Sequence, residues 1–148
     1  MSICRAQKYK KKKDFTKILP VFLKDYVPLR PVTGKYIQNV YYIEKTIEVS
    51  ASHHLQLSYD SKCSRPHGHN WRITVCCRAE QLNQDGMVVD FAEIKRRIRE
   101  PLDHKDLNEV LPFNPTAENI ARWCVEQVPC CYKCTVEESR DNIATYEI

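Results

Sequence analysis

Histidines at the ends of two predicted strands have the clearest potential for chemistry. His67 and His69 are separated by one glycine, and His53 ends the preceding strand-like segment. Residues two apart on a strand point to the same face, so the imidazoles of His67 and His69 can reach one ion. His53 falls on the apolar parity of its own strand. Three neutral imidazoles form a site that binds zinc and leaves a coordination position open for a substrate.

A simpler interpretation stays open for each of these histidines, because exposed or hydrogen-bonded histidines are common in proteins. The neighbouring His54 points to the opposite face of its strand, and we expect it to be an ordinary surface residue. The metal hypothesis therefore depends on three histidines from two segments meeting at one point.

Cys63 lies in a predicted loop four residues before His67, between Lys62 and Arg65. Cationic neighbours and a nearby metal favour the thiolate form of a cysteine. A thiolate beside a metal-bound substrate can act as a general base. Two alternatives remain open: a loop cysteine without a function, or a fourth ligand in a closed structural zinc site.

Three further residues carry weaker signals. Asp103 and His104 are adjacent, and a carboxylate can hold an imidazole in the tautomer that transfers a proton, although such pairs are also common at helix ends. Glu138 ends the third predicted strand on its apolar parity. A carboxylate there needs donors, such as the ring N–H and amino group of a guanine or pterin. Otherwise Glu138 is a surface residue at a strand end.

These residues must be positioned by elements that the hydrophobic pattern predicts. Alternating apolar residues indicate strands before His53, after His69 and before Glu138, and a short last strand from Ala144 to Ile148. Asp90 is expected to cap a helix that Pro101 ends. A second helix starts with Asn114 or Thr116 as its cap and stops at Pro129. The order of strand, strand, helix, helix, strand, strand predicts an α+β fold with an antiparallel sheet.

Charge divides the chain into two parts. Residues 1–38 have a net charge of +8, including four consecutive lysines, whereas residues 39–148 have a net charge of −4. We therefore expect a basic N-terminal extension, either a solvated arm or a segment that docks on a strand edge, followed by one domain at residues 39–148. No segment is apolar enough for a membrane helix, and we see no signal peptide.

Eight cysteines occur in the chain, largely in apolar patterns. Without a secretion signal they predict a reducing, cytoplasmic compartment. Cys76, Cys77 and Cys124 are expected in the core. The group Cys130, Cys131 and Cys134 allows a second metal site, which the absence of nearby histidines disfavours.

Six motifs in this chain together resemble the 6-pyruvoyl-/6-carboxy-tetrahydropterin synthase family over about residues 40–148. They are SASHHL at 50–55, KCSRPHGHNW at 62–71, GMVVDF at 86–91, LDH at 102–104 with LN at 107–108, PTAEN at 115–119 and VEES at 136–139. The resemblance implies a tunnelling fold, with a four-stranded antiparallel sheet and two helices on one side. It also implies assembly into a homohexamer of two trimers with active sites between subunits.

The resemblance assigns roles to the candidate residues. His53, His67 and His69 would bind Zn²⁺, and Cys63 would remove a proton with Asp103 and His104 as its partner. Glu138 would bind the pterin of 7,8-dihydroneopterin triphosphate. The short spacing from Cys63 to His67 resembles bacterial 6-carboxytetrahydropterin synthases of queuosine synthesis, which release acetaldehyde and triphosphate.

Two other functions remain open. The biopterin-forming 6-pyruvoyl synthases are the alternative within the family. A different class of function would be a polyanion-binding protein, in which the lysine run contacts nucleic acid and the synthase domain has lost its activity. The intact set of Cys63, Asp103, His104 and Glu138 argues against that loss.

Overall fold

One four-stranded antiparallel sheet organises the chain. A computed structural model describes residues 39–148, so the predicted extension at residues 1–38 lies outside the described residues. The strands are β1 (Tyr41–His53), β2 (His67–Ala79), β3 (Cys131–Ser139) and β4 (Asn142–Glu147), paired in the order β1-β2-β3-β4. The α+β class and the antiparallel sheet are therefore confirmed.

Alternation along β1 and β2 separates a covered face of the sheet from an open one. Ile47, Val49 and Ala51 of β1 are buried, and Trp71 and Ile73 continue the same face on β2. The intervening residues are mostly exposed and polar. This period of two is the pattern expected for a sheet covered on one side, and it places the ends of β1 and β2 beside the core.

Helix α1 (Phe91–Leu102) covers β1. Its predicted cap is confirmed, since Oδ1 of Asp90 accepts a hydrogen bond from the Ala92 N–H at 2.8 Å. The prediction that Pro101 ends the helix was wrong, because Pro101 lies inside the last turn. Pro101 removes the one helical hydrogen bond that its own N–H would donate, and the Asp103 N–H still closes the last turn on the Arg99 carbonyl.

Helix α3 (Ala117–Gln127) covers β3 and β4. The sequence predicted Asn114 or Thr116 as its cap. Thr116 is the N-cap, and its Oγ1 accepts a hydrogen bond from the Asn119 N–H at 3.3 Å. Between α1 and α3 lies the one-turn helix α2 (Leu107–Val110), which the sequence did not predict and which buries Leu107. Two long helices thus pack on the sheet as expected, with one additional turn.

The chain after α1 lies along the outer edge of the sheet that β1 forms. Along β1, the His104 N–H donates to the Ser50 carbonyl at 2.7 Å, and the Ser52 N–H donates to the Lys105 carbonyl at 3.0 Å. The chain after α1 therefore covers the end of β1 that carries His53. No helix among the described residues is long and apolar enough to cross a membrane.

Candidate active site

The strand register brings the three histidines together. His53 is the Cα partner of His67, and Ala51 is the partner of His69, so one end of the β1–β2 pair carries all three rings on the covered face. The ring centroids are 4.5 to 5.2 Å apart. One ligand atom from each ring lies within 4.8 Å of the others, and this group is a candidate metal centre.

Two backbone carbonyls fix the orientation of the His53 and His67 rings. Nδ1 of His53 lies 2.9 Å from the Pro115 carbonyl oxygen, and Nδ1 of His67 lies 2.8 Å from the Arg65 carbonyl oxygen. A carbonyl oxygen can only accept, so each Nδ1 carries the proton. The Nε2 lone pairs are then available to a metal, and a donor contact of this kind is the usual support of a ligating histidine.

Burying these histidines costs folding free energy unless their ring nitrogens bind a partner. His53 is fully buried. The Nε2 atoms of His53 and His69 are buried and have no hydrogen-bond partner. Burial is the first cause that lowers the pKa of both rings, which keeps them neutral. Neutral ring nitrogens that lie close together and lack hydrogen-bond partners fit a metal ion such as zinc.

Glu138 lies beside this cluster. Its Oε1 is 3.4 Å from Nε2 of His53 and 3.9 Å from Nε2 of His69, and its side chain is 24% exposed. β3 places it there because β3 pairs with β2, whose first residues carry the histidines. The structure therefore places the Glu138 carboxylate at the edge of the candidate metal centre, where one bound molecule can contact the carboxylate and the metal site together.

Cys63 is held against the end of β1 by its backbone. It lies in a single 3₁₀ turn, Lys62–Ser64, capped by Ser61. Its carbonyl accepts a hydrogen bond from the Leu55 N–H at 2.8 Å. Its thiol is partly exposed and is not one of the ligand atoms grouped within 4.8 Å. Among the described residues, Cys63 is therefore not part of the group of candidate metal ligands.

Asp103 and His104 form a pair at the covered edge of β1. Oδ1 of Asp103 accepts from the Ser50 N–H at 3.0 Å and lies 3.2 Å from Nδ1 of His104. Oδ2 accepts from Nε of Arg99 at 2.9 Å. The Ser50 N–H is the main cause that lowers the pKa of Asp103, with Arg99 contributing. Asp103 is thus an anion that can orient the exposed imidazole of His104.

An open cleft lies at the end of the β1–β2 pair. It has a volume of about 470 Å³ and is bordered by residues 50–52 of β1, 68–70 of β2 and 104–106. His69 and His104 both contribute to its lining. Within one chain, Asp103 and His104 make their hydrogen bonds and ion pairs with Ser50, Arg99 and each other rather than with Cys63.

The contacts of His54, Asn108 and Asn114 were not predicted from the sequence. His54 is half-buried, and its Nδ1 has no hydrogen-bond partner, so the expectation of an ordinary surface residue was wrong. The side chain of Asn108 bonds both backbone groups of His54, and Asn114 does the same for Gln56. These contacts join residues more than fifty positions apart, which no local pattern signals.

The cysteine-rich end of the sheet is part of the core. Cys76, Cys77, Cys124, Cys131 and Cys134 are buried. Burial and Glu44 raise the pKa of Cys76 to about 11. The thiol of Cys77 donates a hydrogen bond to the sulfur of Cys131, which lowers the pKa of Cys131. Among residues 39–148, the histidine triad is the only group of three or more close ligand atoms, so a second metal site at the cysteines is not supported.

Comparisons with known proteins agree with this geometry. The family model described as 6-pyruvoyl tetrahydropterin synthase matches residues 42–148. A human 6-pyruvoyl tetrahydrobiopterin synthase is 32% identical over 130 residues, covering 71% of this chain and 90% of that protein. A 6-carboxy-5,6,7,8-tetrahydropterin synthase of Synechocystis is 32% identical over 118 residues, covering 70% and 91%.

A solved structure extends the comparison to the fold. The Caenorhabditis elegans 6-pyruvoyl tetrahydropterin synthase superposes with a TM-score of 0.62 at 29% identity, covering 76% of this chain and 99% of that chain. The predicted tunnelling fold is therefore confirmed.

Proposed function

The chain belongs to the 6-pyruvoyl tetrahydropterin synthase family, and we propose that it is a zinc-dependent 6-carboxytetrahydropterin synthase. Its substrate would be 7,8-dihydroneopterin triphosphate. The products would be 6-carboxy-5,6,7,8-tetrahydropterin, acetaldehyde and triphosphate. We further propose that it acts in queuosine synthesis in the cytoplasm, as a homohexamer.

The histidine triad is the observation that carries this proposal. His53, His67 and His69 would bind the zinc, because one ligand atom of each ring lies within 4.8 Å of the others while the Nδ1 atoms of His53 and His67 are occupied by carbonyl oxygens. Bound zinc would supply Lewis-acid catalysis by polarising the hydroxyl or carbonyl oxygens of the substrate side chain. No other described cluster offers this set of ligands.

The remaining residues would bind the substrate and move protons. Glu138 would accept the ring N–H and the amino group of the pterin, next to the triad that it already contacts. Cys63, anchored beside the end of β1, would remove a proton from the substrate side chain. Asp103 would orient His104 for proton transfer across the cleft.

The proposed 6-carboxy product, rather than a 6-pyruvoyl product, is supported by the spacing between Cys63 and His67. Only three residues separate it from His67, which resembles the 6-carboxy branch. The 6-pyruvoyl product is the second candidate, because the human 6-pyruvoyl tetrahydrobiopterin synthase is as similar to this chain as the Synechocystis 6-carboxy synthase. The two products differ in mass, and only the 6-carboxy reaction releases acetaldehyde.

Incubation of the purified full chain with 7,8-dihydroneopterin triphosphate tests the proposal. We expect 6-carboxytetrahydropterin by mass spectrometry, with an equal amount of acetaldehyde. The double variant His67→Ala/His69→Ala should lose both zinc and turnover. A 6-pyruvoyl product would change the branch, whereas no turnover by zinc-loaded protein would favour the non-catalytic polyanion-binding alternative.

A further inference from the structure

The backbone just beyond β1 is held by side chains rather than by a neighbouring strand. Oδ1 of Asn108 accepts from the His54 N–H at 2.8 Å, and its Nδ2 donates to the His54 carbonyl at 2.9 Å. Asn114 repeats both contacts with Gln56, each at 3.0 Å. Binding both backbone groups of alternate residues is what a hydrogen-bonded antiparallel strand does. The two amides therefore replace a strand along residues 54–56.

The opposite side of the same segment is tied to Cys63. The residue between the two clamped positions, Leu55, donates its N–H to the Cys63 carbonyl at 2.8 Å. Residues 54, 55 and 56 are thus fixed alternately from both sides. Because the segment begins directly after His53, any shift of it moves the candidate base relative to a candidate metal ligand.

The second asparagine also determines where the His53 ring points. Asn114 directly precedes Pro115, whose carbonyl oxygen lies 2.9 Å from Nδ1 of the buried His53. The Asn114 carbonyl in turn accepts from Nδ2 of Asn119 at 3.0 Å, which anchors it to α3. The side chain and the following carbonyl therefore bind the end of β1 at two points.

An asparagine side chain suits this contact because it offers one acceptor and one donor on a short, stiff arm. Alanine removes both groups, and aspartate keeps the acceptor but loses the donor. We infer that Asn108 and Asn114 are positioning residues that set the relative placement of the metal ligand His53 and the thiol of Cys63. This inference rests on the proposed function for the roles of those two residues.

Single variants of the full chain test the inference with readouts other than turnover. In Asn108→Ala and Asn114→Ala, amide hydrogen exchange at residues 54–56 should accelerate. Affinity for zinc, measured by competition with a chelator, should fall about 10- to 100-fold, as for other contacts that orient metal ligands. The visible spectrum of the cobalt-substituted protein should change. Alkylation of Cys63 in metal-free protein, followed on its peptide by mass spectrometry, should become several-fold faster.

Asn83→Ala is the matched control. Oδ1 of Asn83 also accepts two backbone N–H groups, from Asp85 and Met87, but in the exposed loop before α1. This variant should keep the zinc affinity and the Cys63 alkylation rate of the parent protein. If an alanine variant fails to fold, Asn108→Asp and Asn114→Asp preserve the volume and, because they lose the donor to the carbonyl, should give changes in the same direction.

Two outcomes separate this inference from the proposed function. If exchange accelerates while zinc affinity, cobalt spectrum and Cys63 alkylation all match the parent, the asparagines only support the backbone, and the inference is overturned. If the parent binds neither zinc nor cobalt, the metal part of the proposed function fails. Alkylation then decides the inference: an unchanged rate in both alanine variants overturns it, and a faster rate supports it.

Discussion

Acidification of the metal-free protein should destabilise it through two histidines. Burial is the main cause that lowers the pKa of His53 and of His69 in the folded state. In the unfolded chain both rings titrate near the ordinary histidine pKa of 6.5. Above that pH both states are neutral, and the free energy of unfolding is unaffected. Below it the unfolded chain takes up protons first, so stability falls with pH until the folded rings also protonate.

The slope of the unfolding free energy against pH follows from the number of extra protons that the unfolded chain binds. Each histidine that is protonated only in the unfolded state changes the free energy of unfolding by about 1.4 kcal/mol per pH unit. Two such rings give an upper limit of about 2.7 kcal/mol per pH unit below pH about 6.5. The Glu138 carboxylate favours protonated rings and reduces this limit. Asp103, whose pKa lies below 3.8, contributes only at lower pH.

Urea denaturation of chelator-treated protein between pH 7.5 and pH 5 measures this slope. His69→Asn removes one of the two rings and should leave about half of the limiting slope, or about 1.4 kcal/mol per pH unit. Zinc at saturating concentration should raise stability at pH 7 and lose this effect as protons compete for the ligands. A flat profile below pH 6.5, or equal slopes for His69→Asn and the parent, would refute the reasoning.

Three further predictions concern the thiol, the carboxylate and the tail. Cys63→Ala should keep the zinc content and the fold but lower turnover by about 10²- to 10⁴-fold; loss of metal in the same preparation would instead indicate a ligand. Glu138→Gln should weaken binding of a reduced pterin by about 1.5–3 kcal/mol, or about 10- to 150-fold, with unchanged zinc, and equal affinities in a direct titration would remove it as the anchor. Deletion of residues 1–34 should leave turnover within a few-fold and abolish salt-sensitive binding to polyanions, whereas dissociation of an oligomer in sedimentation would assign the segment to assembly.

The sequence predicted those parts of the fold that depend on local periodicity. The alternation holds along β1 and the first half of β2, so both strands and the shared face of His53, His67 and His69 followed from the pattern. The Asp90 cap was predictable because its side chain bonds a residue two positions away. Features that depend on residues close together in the sequence, such as these strands and this cap, were therefore predicted correctly.

Contacts between distant segments were not predictable. Nothing near Pro115 signals that its carbonyl binds His53, since 62 residues separate them. Asn114 resembled a helix cap, and only the folded chain shows its amide on Gln56, while Thr116 caps α3. The short helix α2 was also not predicted, because four residues are too few to show the helical period of apolar residues.

The backbone at His104 has a consequence for the balance between stability and activity. His104 adopts a φ of 58°, in the left-handed region that most side chains avoid at a cost of about 1–2 kcal/mol. Its side chain is 78% exposed and contacts Asp103, so it contributes little to packing. Glycine would adopt this conformation without the steric penalty. The chain thus has a histidine at a backbone position where glycine would fold at lower cost, which is compatible with the proton-transfer role proposed for His104.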